Sequence, residues 1–394
     1  MTTVLLSAGD ASGEAAAAEL VEALRARRSD TRFVGLGGAA MKRAGVTCVA
    51  DARSLAVGGL FELASSVGGI VRAFRAMDRA LRSEQPDLVV LVDSGGFNLP
   101  FARRVRRRCR APILYFIAPQ IWAWRPGRLR KLVARTDRIA VLMPFEGEFY
   151  ARQGVAVDCV GHPILDRAVA RPRTETMRAA ARDRLGLSAE GPVLALFPGS
   201  RRNELERNLP IQLASAAALT RSDGALRSLA VVVGLAPSLD EHLVRRLAEP
   251  FGDTLSVRLA TSALDAMDAA DAALCKPGTI TLELMLRGCP MAVMARIHPL
   301  SAFIARRRVS VPFVAMPNLL AGEEVVPELL LGEARPDRIA AAVAPLLGGK
   351  GTEGEAARAR QLEAFARIRP ALGSAGAIGR VASIVEELLG TDRA

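Results

Sequence analysis

Short apolar runs alternate along the chain with longer segments whose apolar residues recur at helical spacing. Continuous Val, Leu and Ile runs of this kind are typical of parallel strands buried on both faces. In the first half they occupy Val4–Ser7, Arg32–Leu36, Leu88–Val92, Ile113–Ile117, Ile139–Met143 and Val157–Val160. In the second half they occupy Val193–Phe197, Leu229–Val233, Leu255–Leu259, Ala272–Cys275, Met291–Met294 and Phe313–Ala315. The strand pattern stops and restarts within residues 161–173, and residues 355–389 have a helical pattern only.

The two series of strands predict two doubly wound α/β domains in tandem. A chain of 394 residues exceeds what one hydrophobic core usually supports, which agrees with two domains. We expect residues 1–165 to form one domain, residues 166–365 a second, and residues 366–394 a helix that packs back toward the first. Because ligands of doubly wound sheets bind beyond the carboxyl ends of the strands, two such domains facing each other place a site in the cleft between them.

Composition narrows the partners and the chemistry. The formal net charge of +12 favours an anionic partner. Nucleic acid, an anionic membrane surface and a phosphorylated substrate all fit, and the charge does not distinguish among them. The five cysteines are scattered without a CxxC pair, so we expect reduced core residues in a cytosolic protein. The three histidines are dispersed and no Asp-x-Asp pair occurs, so no metal site is expected.

Two turns in the second half combine a Pro-Gly strand end with a capping residue. In "FPGSRRNELERNLP", Ser200 can cap the following helix, and Arg201 stands beside its N–H groups. This arrangement suits the binding of a pyrophosphate. The alternative is an ordinary turn between strand and helix with a solvated arginine, which has the same sequence pattern. In "CKPGTITLELMLRGCP", Thr279 can cap the helix that carries Glu283. The Glu283 carboxylate suits either a ribose diol or the helix dipole.

Turns in the first half carry acids instead. "SAGDASGE" puts Asp10 and Glu14 at a helix start, where they already supply the negative charge that such a position favours. We therefore expect this turn to accept hydrogen bonds from hydroxyls or amides rather than to bind a bare phosphate. In "LVDSGGFNLP", Asp93 stands at the carboxyl end of a strand. It can act as a general base on a hydroxyl, or simply form the turn before two glycines.

Two further segments suit a lipid surface. Residues 54–77 are too apolar for a surface loop, with Arg72 and Arg75 near their end, so they predict either a membrane-interface segment or a buried helix. "APQIWAWRPGRLRK" places Trp122 and Trp124 before basic residues. This pattern suits tryptophans that stack on nucleic-acid bases or lie at a lipid–water boundary. It equally suits core tryptophans that are followed by a solvated basic helix. No apolar run reaches about 18 residues, so we expect no spanning helix.

Taken in order, several motifs resemble those of the lipid-A-disaccharide synthase family, glycosyltransferase family 19. The motifs are "SAGDASGE", "VDSGGFN", "APQIWAWRPGR", "MPFEGEFY", "VGHPILD", "PGSRRNE", "PGTITLELML", "HPLSAFIARRRV" and "MPNLLAGEEVVPELL". The resemblance runs from residue 4 to residue 345, and residues 317–322 carry its most distinctive part. Single motifs are weak signals, whereas the ordered set is a strong one.

The resemblance implies a GT-B fold, in which two Rossmann-like domains face a central cleft and a helical tail follows. It implies an inverting glycosyltransferase without a cofactor that joins UDP-2,3-diacylglucosamine to 2,3-diacylglucosamine 1-phosphate. The product is the β(1→6) lipid A disaccharide, and UDP is released. The resemblance also implies a cytoplasmic protein associated peripherally with the inner membrane, with no nucleic-acid partner and with a homodimer left open.

Site residues follow from the resemblance, residue by residue. The family's catalytic Asp falls on Asp93, which would take the proton from the acceptor 6-hydroxyl. Donor-binding positions are implied at Gly199, Ser200, Arg201, Glu204, Gly278, Thr279, Glu283 and Asn318. Acceptor-binding positions are implied at Asp10, Ser12, Gly13, Glu14, Asn98 and Gln120. Membrane-facing positions are implied at Val57, Leu60, Phe61, Leu63 and Val67.

The chain departs from the family pattern at both substrate sites. The first motif is commonly Gly-Glu-x-Ser-Gly-Asp, whereas its two acids are exchanged here as Asp10 and Glu14. Gly96 stands where the family usually has a second Asp, and Pro277 where it usually has Ser. The alternative functions are another UDP-sugar enzyme on the same scaffold, such as a 2-epimerase, and a nucleic-acid-binding protein. The latter explains neither the Gly-rich turns nor Asp93.

Overall fold

The computed structural model describes residues 1–52, 62–119, 121, 126–222, 224–236, 239–296, 312–348 and 353–391. The chain forms two compact units. The N-terminal unit comprises Met1–Arg167 and the chain from Ala371 onward, and the C-terminal unit lies between Ala168 and Pro370. Each unit is built on one parallel sheet covered by helices. The predicted fold class, two Rossmann-like units with a helical C-terminal tail, is therefore confirmed.

The N-terminal unit contains a seven-stranded sheet in the order β3-β2-β1-β4-β5-β6-β7. Its strands are β1 (Thr2–Ala8), β2 (Thr31–Gly37), β3 (Thr47–Asp51), β4 (Leu88–Val92), β5 (Ile113–Phe116), β6 (Arg138–Val141) and β7 (Asp158–Cys159). All neighbouring strands pair in parallel. Every residue of β4 is buried, which explains its unbroken apolar run.

Helices on both faces of this sheet complete its core. They are α1 (Ala11–Arg27), α2 (Ala39–Arg43), α3 (Glu62–Glu84), α4 (Gly95–Arg108), α5 (Leu129–Val133) and α6 (Pro144–Arg152). Phe74 of α3 packs edge-on against Phe97 and Phe101 of α4 with ring centroids 5.7 and 5.8 Å apart. Buried Asp78 of α3 accepts hydrogen bonds from Arg104 of α4, so an ion pair fastens the same two helices.

The C-terminal unit contains a six-stranded sheet in the order β10-β9-β8-β11-β12-β13. Its strands are β8 (Val193–Phe197), β9 (Ala230–Gly234), β10 (Ser256–Ala260), β11 (Ala272–Cys275), β12 (Met291–Ala295) and β13 (Glu328–Leu330). Its helices are α7 (Glu175–Arg184), α8 (Arg202–Ser222), α9 (Glu241–Ala248), α10 (Ala263–Ala269), α11 (Thr279–Arg287), α12 (Met316–Ala321), α13 (Pro336–Leu347) and α14 (Glu353–Ile368). Both units also contain short 3₁₀ helices. They lie at Pro126–Arg128, Pro163–Asp166, Ala168–Ala170, Gly224–Leu226, Glu249–Phe251, Leu331–Glu333 and Arg369–Leu372.

The last helix, α15 (Ala377–Thr391), packs on α1 of the N-terminal unit. Its buried positions Ala377, Val381 and Val385 recur every four residues and so share one face. At the rim of this contact, Arg27 of α1 donates to the Glu386 carboxylate at 3.0 Å. Within the described residues, no helix is both long and apolar enough to cross a bilayer.

One strand prediction is wrong, and two strands were not predicted. The predicted strand Phe313–Ala315 is wrong, because the N–H groups of Val314 and Ala315 donate to the Glu328 carboxylate at 2.8–3.1 Å instead of to a neighbouring strand. Edge strands β3 and β13 were missed. β3 is only partly buried, and β13 has three residues, so neither has a continuous apolar run.

The strand orders create one topological switch point in each sheet. The order reverses between β1 and β4 in the first sheet and between β8 and β11 in the second. Helices that follow such a strand pair leave on opposite faces, which opens a crevice at the carboxyl edge. Asp10 and Asp93 follow β1 and β4, whereas Arg201 and Gly278 follow β8 and β11.

Candidate functional site

The turn after β1 ends in Asp10, which caps helix α1. Its carboxylate accepts hydrogen bonds from the Gly13 N–H at 2.8 Å and from the Ser12 hydroxyl at 2.9 Å. An acid at this position satisfies N–H groups that the helix leaves unpaired and interacts favourably with the helix dipole. A Cβ added at Gly13 would lie 3.2 Å from an Asp10 carboxylate oxygen and 3.5 Å from Asp93 Cβ, so Gly13 packs closely against both acids. Asp10, Ser12 and Gly13 therefore lie together beside Asp93.

Asp93 and Ser94, which follow β4, both adopt the left-handed conformation, with φ of 47° and 45°. This conformation costs a non-glycine residue about 1–2 kcal/mol. The surrounding polar groups hold the turn in place. The Asp93 N–H donates to the Phe116 carbonyl at 3.1 Å, and the Ser94 hydroxyl accepts from the Gly9 N–H at 3.1 Å and donates to Asp10 at 3.2 Å. Backbone strain maintained by its surroundings is a frequent property of functional sites.

Asn98 of α4 is completely buried beneath this turn. Its amide nitrogen donates to the carbonyls of Ser7, Val92 and Asp93 at 3.2, 3.0 and 2.9 Å. Its amide oxygen accepts from the Ser7 hydroxyl at 2.6 Å. Both ends of the side chain are thus engaged inside the unit, where Asn98 ties the ends of β1 and β4 together. Its predicted contact with the acceptor stays a prediction.

The Asp93 carboxyl lies against that of Asp10, and the two side chains share a hydrogen bond. Burial raises the pKa of Asp93, and the negative charge of Asp10 and this hydrogen bond raise it further, to about 7. The Ser94 N–H acts in the opposite sense, because it donates to the ionised carboxylate and so lowers the pKa. A carboxyl with a pKa near 7 is about half ionised at neutral pH, which suits a general base.

The other predicted acceptor-side and membrane-facing residues lie apart from this pair or outside the described residues. Glu14 accepts a hydrogen bond from the Ala40 N–H at 2.6 Å, at the start of α2. Val67 of α3 is 50% exposed. Gln120, Val57, Leu60 and Phe61 lie outside the described residues, as does the side chain of Leu63.

The turn after β8 places Glu204 against the start of its own helix, α8. The Glu204 carboxylate accepts from the N–H groups of Ser200 and Arg201 at 3.0 and 3.3 Å. Gly199 has φ of 139°, and an added Cβ would lie 2.5 Å from a Glu204 oxygen, so this position requires glycine. Glu204 therefore occupies N–H groups that suit a pyrophosphate in the sequence-based prediction, while the Arg201 side chain is exposed.

Lys276 connects this turn to the turn after β11. Its Nζ lies 2.8 Å from Glu204 Oε1, and both side chains are partly exposed. Burial raises the pKa of Glu204, but the charge and hydrogen bond of Lys276, with the Ser200 N–H, outweigh burial and hold the pKa below its ordinary value. Gly278 and Thr279 follow directly, and Glu283 is partly buried on α11. The two predicted donor turns thus meet, with Lys276 between them.

Asn318 of α12 is completely buried. Its amide donates to the Val326 carbonyl at 2.8 Å and to Glu328 at 2.9 Å, and it accepts from the N–H groups of Val325 and Val326 at 2.8 Å each. These bonds hold the loop that leads into β13. All the hydrogen-bonding capacity of Asn318 is therefore used within the unit, and its predicted donor contact stays a prediction.

Three residues that organise these sites were not predicted: Tyr115, Lys276 and Glu328. The Tyr115 hydroxyl donates a hydrogen bond to the Asp93 carbonyl at 2.6 Å. Tyr115 lies inside an apolar strand, so its pattern indicates only a core residue. Glu328 acts on Val314 and Ala315 across a loop, which no local pattern reveals. Lys276 could have been predicted from the sequence, because it directly follows a buried apolar run. A cation at that position lies at the carboxyl edge of the sheet, where ligands bind.

Two Rossmann-like units in one chain, each with polar residues at its switch point, define the GT-B class, to which many nucleotide-sugar enzymes belong. A family model described as lipid-A-disaccharide synthetase matches residues 4–371. The chain therefore belongs to the lipid-A-disaccharide synthetase family, as its ordered motifs predicted.

Individual relatives agree with this assignment. The lipid-A-disaccharide synthase of Syntrophus aciditrophicus is 40% identical over 389 residues, covering 98% of this chain and 97% of the relative. Among solved structures, the UDP-GlcNAc 2-epimerase of Neisseria meningitidis has a TM-score of 0.63 at 12% identity, covering 98% of this chain and 99% of that one. MurG of Acinetobacter baumannii has a TM-score of 0.58 at 13% identity, covering 98% and 100%. At these identities the two structures show the fold alone.

Proposed function

We propose that this chain is an inverting hexosyltransferase that joins UDP-2,3-diacylglucosamine to 2,3-diacylglucosamine 1-phosphate. The product is the β(1→6)-linked lipid A disaccharide, with release of UDP. Membership of the lipid-A-disaccharide synthetase family supports the substrates. The observation that carries the chemistry is the Asp93 carboxyl, which is held at the carboxyl end of β4 with a pKa of about 7.

The proposed reaction is a single displacement. The acceptor 6-hydroxyl oxygen forms a bond to the anomeric carbon of the donor, while the bond from that carbon to the UDP oxygen breaks on the opposite face. Asp93 in its ionised form takes the hydroxyl proton as the oxygen attacks. The displaced electron pair leaves with UDP, so negative charge grows on the diphosphate in the transition state.

The C-terminal unit supplies groups suited to that growing charge. Arg201 and Lys276 are cationic, and Thr279 offers a hydroxyl at the start of α11. Preorganised donors and cations of this kind stabilise a leaving group that gains negative charge. Glu204 is bound to Lys276 and to two helix-start N–H groups. We propose that the diphosphate takes over these partners when the donor binds, and that Glu283 accepts hydrogen bonds from the ribose hydroxyls.

One incubation tests the proposed function. The purified chain is mixed with UDP-2,3-diacylglucosamine and 2,3-diacylglucosamine 1-phosphate, and the products are identified by mass spectrometry and by NMR, which distinguishes 2-epimers of equal mass. We expect one disaccharide 1-phosphate per UDP released, with no product when non-acylated UDP-N-acetylglucosamine is the donor. Conversion of that non-acylated donor to its 2-epimer would instead favour the alternative, an epimerase on the same scaffold.

We further propose that the N-terminal unit associates with the cytoplasmic face of the inner membrane through α3 and its basic neighbours. Val67 and Val71 lie one turn apart on α3 and are 50% and 39% exposed. Arg72 and Arg75 are exposed on the same helix. Apolar side chains flanked by arginines suit the boundary between acyl chains and anionic head groups. This surface would bring the active site to its acylated substrates.

Vesicle sedimentation tests the membrane proposal. We expect the chain to sediment with vesicles containing phosphatidylglycerol at low salt, and the bound fraction to fall as salt screens the arginines. The double substitution Val67→Asp/Val71→Asp should lower binding about tenfold, because two exposed apolar contacts become charges. Val49→Asp is the matched control, since Val49 is 38% exposed on β3 of the same unit. Equal loss in both variants, or no wild-type binding at low salt, contradicts the proposal.

A further inference from the structure

Asp93 is attached to the sheet through both of its backbone polar groups. Its N–H donates to the Phe116 carbonyl at 3.1 Å. Its carbonyl oxygen accepts two hydrogen bonds, from Asn98 Nδ2 at 2.9 Å and from the Tyr115 hydroxyl at 2.6 Å. These bonds act on a residue in the left-handed conformation, which the chain would otherwise leave readily. The direction of the Asp93 side chain therefore depends on the groups that hold its backbone.

Tyr115 is well suited to this task. It belongs to β5, pairs with Leu91 of β4, and is completely buried, so its ring has one fixed position in the core. Burial, together with the negative charge of Asp93, raises the pKa of Tyr115 well above its ordinary value. The hydroxyl thus keeps its proton across the working pH range and remains a donor.

We propose that Tyr115 is a positioning residue for the reaction, whose hydroxyl holds the Asp93 backbone so that the carboxyl meets the acceptor hydroxyl. This inference rests on the proposed role of Asp93 as general base. Tyr115 acts from below through the main chain and has no contact with substrate in this role. A general base that is correctly placed only part of the time catalyses in proportion to that fraction, so loss of the hydroxyl lowers kcat and leaves binding unchanged.

The chain contains a matched control for this idea. Tyr150 of α6 is a second completely buried tyrosine in the same core as Tyr115. Its hydroxyl has no hydrogen-bond partner among the described residues. The substitutions Tyr115→Phe and Tyr150→Phe therefore delete the same atom from the same core, and only the first deletes a bond to Asp93. Asn98 still donates to the Asp93 carbonyl in Tyr115→Phe, so no buried acceptor is left unpaired.

Kinetics of the purified variants test the proposal. We expect Tyr115→Phe to lower kcat about tenfold while KM for each substrate stays within about twofold. Tyr150→Phe should keep the wild-type kcat. In an Asp93→Asn background, Tyr115→Phe should cause no further loss of residual activity, because both changes act on the same group. A rise in KM with unchanged kcat, or equal losses in the two Phe variants, overturns the proposal.

The same assays separate this inference from the proposed function. If Asp93→Asn retains wild-type turnover, the role of Asp93 as base is wrong, and the positioning role of Tyr115 is wrong with it. If Asp93→Asn is inactive and Tyr115→Phe has the wild-type kcat, only the positioning role is wrong. Thermal unfolding of both Phe variants shows whether a loss of kcat accompanies a loss of folded protein.

Discussion

Asp93→Asn is expected to lower kcat by about 10²–10⁴-fold, the usual contribution of a general base, while making the folded chain more stable. The amide cannot take a proton from the acceptor hydroxyl, so turnover is lost. It also removes a negative charge that burial and Asp10 both disfavour. In addition, asparagine tolerates the left-handed conformation of this position well. We expect the free energy of unfolding at pH 8 to rise by about 2 kcal/mol, measured by thermal or denaturant unfolding.

The pH dependence has a definite sign. The pKa of Asp93 is raised to about 7 in the folded chain, whereas an unfolded aspartate has a pKa of about 4. The folded chain therefore binds this proton more tightly, and its stabilising effect is lost as the pH rises from about 4 through about 7. The gain in Tm from Asp93→Asn should consequently be larger at pH 8 than at pH 5. Wild-type turnover should rise with pH through about 7, as the carboxylate forms.

Asp78→Asn is the matched control. Asp78 is also a buried acid of the N-terminal unit, but it accepts hydrogen bonds from Arg104 and Arg82, which hold its pKa well below the ordinary value. The same chemical change should there lower Tm at pH 8, because the arginines lose a charged partner. If Asp93→Asn were inactive but less stable than wild type, Asp93 would serve the fold. Retained turnover would remove Asp93 from the chemistry.

Arg201→Ala is expected to weaken UDP binding about tenfold or more, with a smaller effect on folding. A charge-assisted hydrogen bond to a phosphate contributes about 1.5–3 kcal/mol, and the Arg201 side chain is exposed, so its removal should cost little folding stability. Lys276→Met should weaken UDP binding to a similar extent, because it removes the cation between the two donor turns. Isothermal titration with UDP measures both effects directly.

Arg202→Ala provides the control for charge alone. Arg202 is the neighbouring residue and is also exposed, and its guanidinium pairs with Glu206 of the same helix at 2.9 Å. An exposed pair of this kind contributes at most about 1 kcal/mol to stability. We expect its loss to leave the Kd for UDP unchanged. Equal weakening by Arg201→Ala and Arg202→Ala would mean that only the overall positive field attracts UDP, and unchanged binding in Arg201→Ala would remove that residue from the donor site.

Much of the fold could be predicted from local sequence pattern. The apolar runs at Leu88–Val92 and Val193–Phe197 are strands with the predicted bounds, because a strand buried on both faces needs an apolar side chain at every position. The same pattern failed at Phe313–Ala315, where the backbone N–H groups bond to Glu328 from a different segment. Edge strands β3 and β13 were missed because β3 is only partly buried and β13 has only three residues.

Within the site, the residues that form turns and helix caps could be predicted from the sequence. The contacts that each polar side chain makes with distant residues could not. Asp10 at a helix start predicts a cap, and the structure has that cap. By contrast, no local pattern indicates that the Glu204 carboxylate contacts Lys276, 72 positions away along the chain, and the donor-binding role implied for Glu204 stays a prediction. Asn98 likewise bonds to Ser7 across 91 positions. No local pattern contains such contacts, because they depend on which strands become neighbours in the sheet.

The amino-acid sequence by itself thus determined the two parallel-sheet units, the turns that carry polar residues and the family, since apolar periodicity and ordered motifs are properties of short segments. Only the tertiary structure decided how those residues are used. It brought Asp10 against Asp93 and raised the pKa of Asp93, and it placed the Tyr115 hydroxyl beneath Asp93. Burial and charge act through space, so these properties exist only once distant strands lie side by side.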